Sequence, residues 1–557
     1  MVDSRSAFEW LGLALGIAAG MGRKPPGRFR AAESGNAPLH PLRIGERLLR
    51  GRRAWPSIAL FLLENPMSRA AVLYVLILTA LLGAAPAQAD EAAARAAATY
   101  LKRIAAIDDK GPAIHAVLAV NPTAVAQARA AAGPLAGRSV LVKDNIETRE
   151  LPTTAGSLAL AGNVTGRDAP LVARMRAAGG VVLGKTNLSE WANIRSPWSA
   201  SGWSAVGGQT RNPYALDRTP CGSSSGSGAA VAAGMAWAAL GTETDGSITC
   251  PSSVSGLVGF KPTVGLVSRT YVVPISHSQD TPGPMAKSVA DAALLLNAIS
   301  GSDPLDAQTA EADARKSDFT AGLATSSLQG MRIGVLRKQA GDEPKTLRVF
   351  ETALADLRRA GAVLVDIDYD FPRAMGDGES EVLHFELRED LGAYLGGLPG
   401  TPAVRNLADV IAFNTAHPVE LAFFGQETFD KSELATDVSA YSAARATSLT
   451  LAGTAGIDRL LGSNHVLFLI APTEGPAWPI DHVMGERGLS GVGAGSLAAV
   501  AGYPHLTVPM GAVEGLPIGL SFIGPKWSDA AVLQAGAAYE RARTARLAVP
   551  TFERWSE

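Results

Sequence analysis

The sequence predicts an α/β protein, a single large domain in which helices cover a parallel or mixed sheet. Three observations predict it. Short apolar, β-branched runs alternate with helical segments from residue 90 onward, the order that builds βα units. No internal repeat or low-complexity linker divides residues 90–557. Apolar residues make up 47% of the chain and charged residues 18%, enough apolar surface for a large core and too few charges for a disordered chain.

Taken in order, Asp90–Ile107 is alanine-rich with charges spaced for a helix, and Thr123–Ala132 reads as a second helix after Asn121-Pro122. Ser139–Val142 is a β-branched strand ending at Lys143-Asp144-Asn145. A helix over Asp168–Ala178 leads through Gly179-Gly180 to a buried strand at Val181–Leu183. Gly226–Leu240 is nearly all small residues and reads as one closely packed helix, since Gly and Ala allow near backbone approach. Met331–Leu336 and Ala362–Ile367 are strands flanking a helix at Lys345–Ala360. His465–Ile470, Leu506–Met510 and Leu516–Ile523 are further strands, and Ala530–Ala542 is the last helix. Residues 370–440 are richer in polar and aromatic side chains, as expected of a helical lobe over a cleft.

Composition excludes several classes. A net charge of −2 lacks the basic field a nucleic-acid binder needs to displace counterions. Two cysteines, Cys221 and Cys250, cannot build a disulfide framework or a Cys-rich zinc site. Glycine and proline follow no collagen-like period.

Residues 67–89 have the layout of a secretory signal peptide. Arg69 precedes the uncharged stretch Ala70–Ala85, and Ala87-Gln88-Ala89 is a small-x-small cleavage site before Asp90. The stretch is short against the roughly 20 residues of a spanning helix, which favours export over a membrane anchor. Met67 is placed to be the true start. Residues 1–66, Arg-rich and broken by Pro and Gly, then read as an over-extended start or a disordered leader. Residues 1–89 carry 11 Lys and Arg against 5 Asp and Glu, so the exported remainder, periplasmic or secreted, is acidic and has no stable membrane association after cleavage.

The chemistry-bearing run is Thr219-Pro220-Cys221-Gly222-Ser223-Ser224-Ser225-Gly226-Ser227-Gly228. Gly222-x-Ser224-x-Gly226 fits a nucleophile elbow, which needs a histidine, and only scattered ones follow (His465, His482, His505). No Gly-Lys-Ser/Thr follows to make it a phosphate cradle. Alone, such a loop is a flexible turn. A second serine-bearing glycine turn, Gly241-Thr242-Glu243-Thr244-Asp245-Gly246-Ser247-Ile248-Thr249-Cys250-Pro251, stands twenty-four residues beyond Ser223, and Lys143 ends a buried strand eighty residues before it.

Together these residues resemble the amidase signature family. Gly184–Trp191, Thr210–Tyr214, Gly259–Thr263, Ala501–Pro504 and Gly515–Ser521 look like other blocks of that family. The resemblance implies one mixed, twisted central sheet surrounded by helices and a Ser–Ser–Lys triad. Ser247 would be the nucleophile, Ser223 the proton relay after a cis Gly222–Ser223 peptide, and Lys143 a neutral base. The backbone N–H groups of Thr244, Asp245, Gly246 and Ser247 would form the oxyanion hole, and no metal or organic cofactor is implied. A lysine at its ordinary pKa of about 10.4 is protonated, so Lys143 must be desolvated or hydrogen-bonded as the amine. Val140-Leu141-Val142 would carry it into the core.

Glu243-Thr244-Asp245-Gly246-Ser247-Ile248-Thr249 departs from the Asp-x-Gly-Gly-Ser-Ile-Arg usual in the family, so the family's Asp–Arg contact is expected to be missing. Gly202-Trp203-Ser204 to Gly207–Thr210, and Ser276–Met285, look like the bacterial peptide amidase branch. That branch hydrolyses the C-terminal carboxamide of peptides and releases ammonia, so a short peptide amide or small amide is the expected partner. Asn193 and Trp198 are candidate substrate-groove residues, and Cys221 and Cys250 read first as small packing residues, with a disulfide open to them in an oxidising compartment. The other readings are a broad-specificity amidase, the A-subunit of a glutamyl-tRNA amidotransferase, a silent binding protein on the same scaffold, and a Ser-His-Asp hydrolase.

Overall fold

The apolar runs become strands of one eleven-stranded sheet in the computed structural model, which describes residues 91–556. The expected signal peptide at 67–89 and leader at 1–66 lie outside the described residues. The strands are β1 (Val117–Val120), β2 (Ser139–Lys143), β3 (Val181–Thr186), β4 (Ala238–Glu243), β5 (Val258–Lys261), β6 (Thr281–Ala286), β7 (Arg332–Leu336), β8 (Val363–Ile367), β9 (Phe468–Pro472), β10 (His505–Val513) and β11 (Leu516–Ile523). Their order is β1-β3-β2-β4-β6-β5-β10-β11-β9-β7-β8. β3, β2 and β4 run parallel, as do β9, β7 and β8, while the middle pairs are antiparallel. The sheet is therefore mixed, as expected, within a single large α/β domain.

Strand alternation in β2 and β3 sends their side chains into two different cores. Val140, Val142 and Val182 pack into the larger one with the helices α3 (Pro170–Ala177), α6 (Val289–Ile299), α7 (Pro344–Arg359) and α12 (Asp529–Ala542). Leu141, Val181 and Leu183 point the other way, onto α1 (91–107), α2 (Ala124–Ala130) and α4 (Ser225–Ala232). The α4 helix lies so close to its neighbours that a Cβ on Gly226 would stand 2.3 Å from the Ala116 carbonyl oxygen. The small residues of this run are thus a packing requirement.

One expectation is corrected, and one central strand was not expected. The helix expected over Gly226–Leu240 stops at Ala232, and the chain turns through Gly234 at φ +72° into β4. The apolar tail of the run is a central strand, buried between β2 and β6. β6 itself, Thr-Pro-Gly-Pro-Met-Ala, carries no strand pattern, because proline lacks a ladder donor. It pairs with both β4 and β5 even so. Residues 370–440 form the expected helices, α8 (Arg373–Gly396), α9 (Leu407–Ala416) and α10 (Glu427–Glu433), packed with α11 (Val438–Ala452). No helix among the described residues is long and apolar enough to cross a membrane.

Candidate active site

Lys143 is the last residue of β2, on the face that meets α4, and is wholly buried. Its Nζ lies 2.8 Å from Ser223 Oγ, 2.8 Å from Thr242 Oγ1 and 3.2 Å from the Thr242 carbonyl oxygen. No carboxylate forms an ion pair with it among the described residues. Burial pulls its pKa down to about 7, against the pull of the Asp280 and Glu243 charges, which hold it up. The parallel pairing of Val142 with Leu240 aligns β2 and β4, which brings Thr242, two residues beyond Leu240, within reach of the lysine.

Ser223 follows a cis peptide from Gly222, as the resemblance implies. Only glycine fits before it, since a Cβ on Gly222 would stand 2.2 Å from Ser189 Oγ. The neighbouring Ser224 ties the two serine turns together. Its N–H donates to the Ser247 carbonyl (3.1 Å) and its hydroxyl to the Thr242 carbonyl (3.1 Å). Cys221 and Cys250 are buried, as expected of packing residues, but they are also joined by a disulfide. The packing reading is therefore incomplete. The bond links a point two residues before Ser223 to one three residues after Ser247, with the Cα atoms 6.0 Å apart.

The turn at 244–247 is held from outside. Thr244 Oγ1 donates to Asp280 Oδ1 (2.6 Å), and Asp280 Oδ2 accepts from the N–H groups of Ile275 and Ser276. Gly246 sits at φ +78°, with no atom within 4 Å of where a Cβ would project. Among the described residues nothing accepts from the backbone N–H groups of Asp245, Gly246 and Ser247, so these donors are free to meet a ligand oxygen. Thr249 carries no guanidinium, so the Asp–Arg contact expected to be missing cannot form through this residue. Glu243 Oε2 instead accepts from the N–H groups of Ile248 (2.7 Å) and Thr249 (2.9 Å), capping helix α5 (Thr249–Val254).

The remaining predicted residues divide. Asn193, at φ +73°, donates from Nδ2 to Ser201 Oγ (3.2 Å) and stands against Gly222 of the serine loop. Trp198 is 60% exposed and lies beside Gly485. The histidines of the elbow reading are elsewhere. His505 is buried against Ser521, His482 stacks on Phe423, and no histidine among the described residues hydrogen-bonds Ser223, Ser224 or Ser247. Sequence reasoning missed Asn145, Thr242, Gln279, Asp280 and Glu379. Gln279 Nε2 donates to Glu379 Oε1 (2.8 Å), joining α8 to the 274–280 loop. Burial raises the Asp245 carboxyl, and burial together with Asp245 raises Glu379. Thr242 and Asp280 lie inside the motif runs 241–251 and 276–285, so their positions were in plain view; only their contacts were hidden.

Among the described residues one cluster has the atoms of a metal site, His277 with Glu386 and Asp390. His277 Nδ1 lies 2.9 Å from Asp390 and Nε2 3.2 Å from Glu386, and Arg445 stands 3.8 Å from the same Glu386. Glu386 also accepts from the Ser278 N–H and the Tyr441 hydroxyl. With both ring nitrogens engaged and a guanidinium alongside, this is an ion-paired latch between α8 and the 274–280 loop.

A lysine buried against one serine with no counter-charge in contact, beside a glycine turn with free N–H groups, is the polar centre that the mixed sheet assembles among the described residues. The chain belongs to the Amidase family, whose model matches residues 95–533, and it is an amidase, a hydrolase of amide C–N bonds. It is similar to the native peptide amidase of Stenotrophomonas maltophilia, with 47% identity, a TM-score of 0.78, and coverage of 83% of this chain and 95% of that one. It is 37% identical over 464 residues to a probable amidase of Arabidopsis thaliana, covering 79% of this chain and 85% of the relative. It is also 36% identical over 466 residues to the A-subunit of the glutamyl-tRNA(Gln) amidotransferase of Thermus thermophilus, covering 81% and 93%.

Proposed function

We propose that the protein removes the C-terminal carboxamide of short peptides as ammonia, using Ser247, Ser223 and Lys143. The observation that carries the mechanism is the 2.8 Å contact between Ser223 and Lys143, a buried lysine with no counter-charge in contact. A serine hydroxyl is a weak nucleophile until its proton is accepted. Ser247 Oγ attacks the carboxamide carbon while its proton passes to Ser223, and the Ser223 proton passes to the Lys143 amine. The free N–H groups of the 244–247 turn hold the oxygen as it becomes negative. Lys143 returns the proton through Ser223 to the departing nitrogen, which leaves as ammonia. Water then repeats the sequence on the Ser247 ester and frees the peptide acid.

The substrate class rests on the likeness to a peptide amidase at 47% identity and on the sequence runs 202–210 and 276–285. The amidotransferase reading has relatives of 36% identity in its favour. Against it stands the expected export signal, since tRNA charging is cytoplasmic. Export of the chain after cleavage behind Ala89 is part of the proposal, and a buried disulfide suits an oxidising compartment. N-terminal sequencing of the protein from its own cells is expected to begin at Asp90.

The test is ammonia release from an amidated dipeptide and tripeptide, with mass analysis of the product. Conversion of one amide to one acid, without internal cleavage, supports the reading. Turnover of simple amides only would overturn the substrate class and keep the chemistry. Ser247→Ala is expected to abolish both.

A further inference from the structure

Lys143 Nζ touches three oxygens: Ser223 Oγ, the Thr242 carbonyl and Thr242 Oγ1. A neutral amine has two N–H donors and one lone pair. The carbonyl can only accept, so it takes one N–H. If Thr242 Oγ1 takes the other, the lone pair is left facing Ser223. If that hydroxyl instead donates to Nζ, it occupies the lone pair, and Ser223 has nowhere to send its proton. The direction of one hydroxyl therefore decides whether the lysine can act as a base.

We propose that Asn145 is a positioning residue that fixes this direction, acting on Lys143 through Thr242 Oγ1. The inference rests on the reading that Lys143 accepts the serine proton. Asn145 Nδ2 donates to Thr242 Oγ1 at 3.0 Å. A hydroxyl oxygen has two lone pairs. Asn145 fills one, and the other is open to a Lys143 N–H when the hydroxyl's own proton turns away from the amine, towards the small cavity that Thr242 and Asn145 both line. Asn145 is buried and held in place, its backbone carbonyl accepting from the Val273 N–H at 2.8 Å. The other end of its side-chain amide, Oδ1, has no protein partner among the described residues, and Asn145 lines a cavity of about 10 Å³ with Thr244, Asp280 and Thr281. That is about the room one water needs, so the acceptor end can be satisfied while the donor end stays on Thr242.

The same arrangement serves the protonated state. An ammonium has three N–H donors, and all three oxygens can accept. Only the Ser223 contact reverses its sense, so the proton can move out and back without rearrangement of the lysine.

The experiment uses the full chain and a peptide amide, with kcat and KM followed across pH beside a thermal melt. Thr242→Val and Asn145→Ala are expected to lower kcat about ten- to a hundredfold, part of what a well-placed base supplies, with KM changed by less than about threefold. Thr242→Ser keeps the hydroxyl and is expected to recover most of the loss. Asn145→Asp provides a readout that packing alone would not move. The charges facing Lys143 are already Asp280, from the 274–280 loop, and Glu243, from β4. A further carboxylate favours the ammonium, so the acid limb of kcat/KM is expected to move up by about one pH unit or more, with activity returning at high pH. An unshifted limb in a folded Asn145→Asp protein overturns the inference. So does a Thr242→Val variant as active as Thr242→Ser, a pair that stays informative if the Asn145 variants do not fold. Full activity in Lys143→Ala would instead remove the base reading itself.

Discussion

Two neighbouring strands each carry a wholly buried lysine at or beside their ends, and the proposed function puts the two to opposite uses. Val142 of β2 pairs with Lys185 of β3, one residue before Lys143. Lys185 Nζ meets the Asp144 carboxylate at 2.8 Å, Thr153 Oγ1 at 2.8 Å and the Pro152 carbonyl at 3.0 Å. Lys143 meets two hydroxyls and a carbonyl, with no carboxylate. Burial pulls both ammonium groups down, but at Lys185 the Asp144 charge opposes it in direct contact. Burial alone does not make a base. The partner sets differ: Lys143, its pKa pulled down to about 7, has no counter-charge in contact, whereas Lys185 has the Asp144 carboxylate beside it.

The largest expected effect separates the two lysines by activity. Lys143→Met should cost at least about 10³-fold in kcat, since it removes the proton acceptor, while the melting temperature stays close to that of the parent. Lys185→Met should do the reverse. It strands Asp144 as an uncompensated buried charge, a loss of about 3–5 kcal/mol in denaturant titration. Adding Asp144→Asn to it should return part of that stability. A Lys185→Met protein as stable as the parent would show that the ion pair does not hold these strand ends.

A somewhat smaller effect belongs to the disulfide, which braces the Lys143 side only. It closes a loop with a sequence separation of 29 residues, so the Cys221→Ala/Cys250→Ala pair should lose about 3–4 kcal/mol. Activity should fall before global unfolding, since the bond joins the turns bearing Ser223 and Ser247. The smallest effect is the pH response. Lys143 acts as the amine, so kcat/KM should fall about tenfold per unit as pH drops below about 7 and level off above it. Lys185, ion-paired, should add no limb of its own, so a Lys185→Arg protein that still folds should keep the same profile.

Much of this was legible in the chain itself. β2, β3, β7, β8 and β11 were expected within a residue or three of their observed ends, because branched apolar runs bounded by turns have few other uses. Lys143, Ser223 and Ser247 stood out because their three runs occur in combination, and the cis Gly222–Ser223 peptide agreed with the resemblance they carry. Asn193 reached the serine loop, while Trp198, with no pattern to fix its direction, stayed at an exposed rim.

The sequence by itself determined the α/β class, through local periodicity, and the family, through the combination of motif runs that also carries the proposed roles of Lys143, Ser223 and Ser247. Tertiary structure decided that Ala238–Glu243 is a strand and not the tail of a helix, and that a proline-bearing run, Thr281–Ala286, fills the middle of the sheet. It also decided that Cys221 bonds to Cys250 and that Asn145 and Thr242 surround the Lys143 amine. Each of these depends on a partner from 26 to 99 residues away, and a contact made across the fold leaves no period in the chain on either side of it.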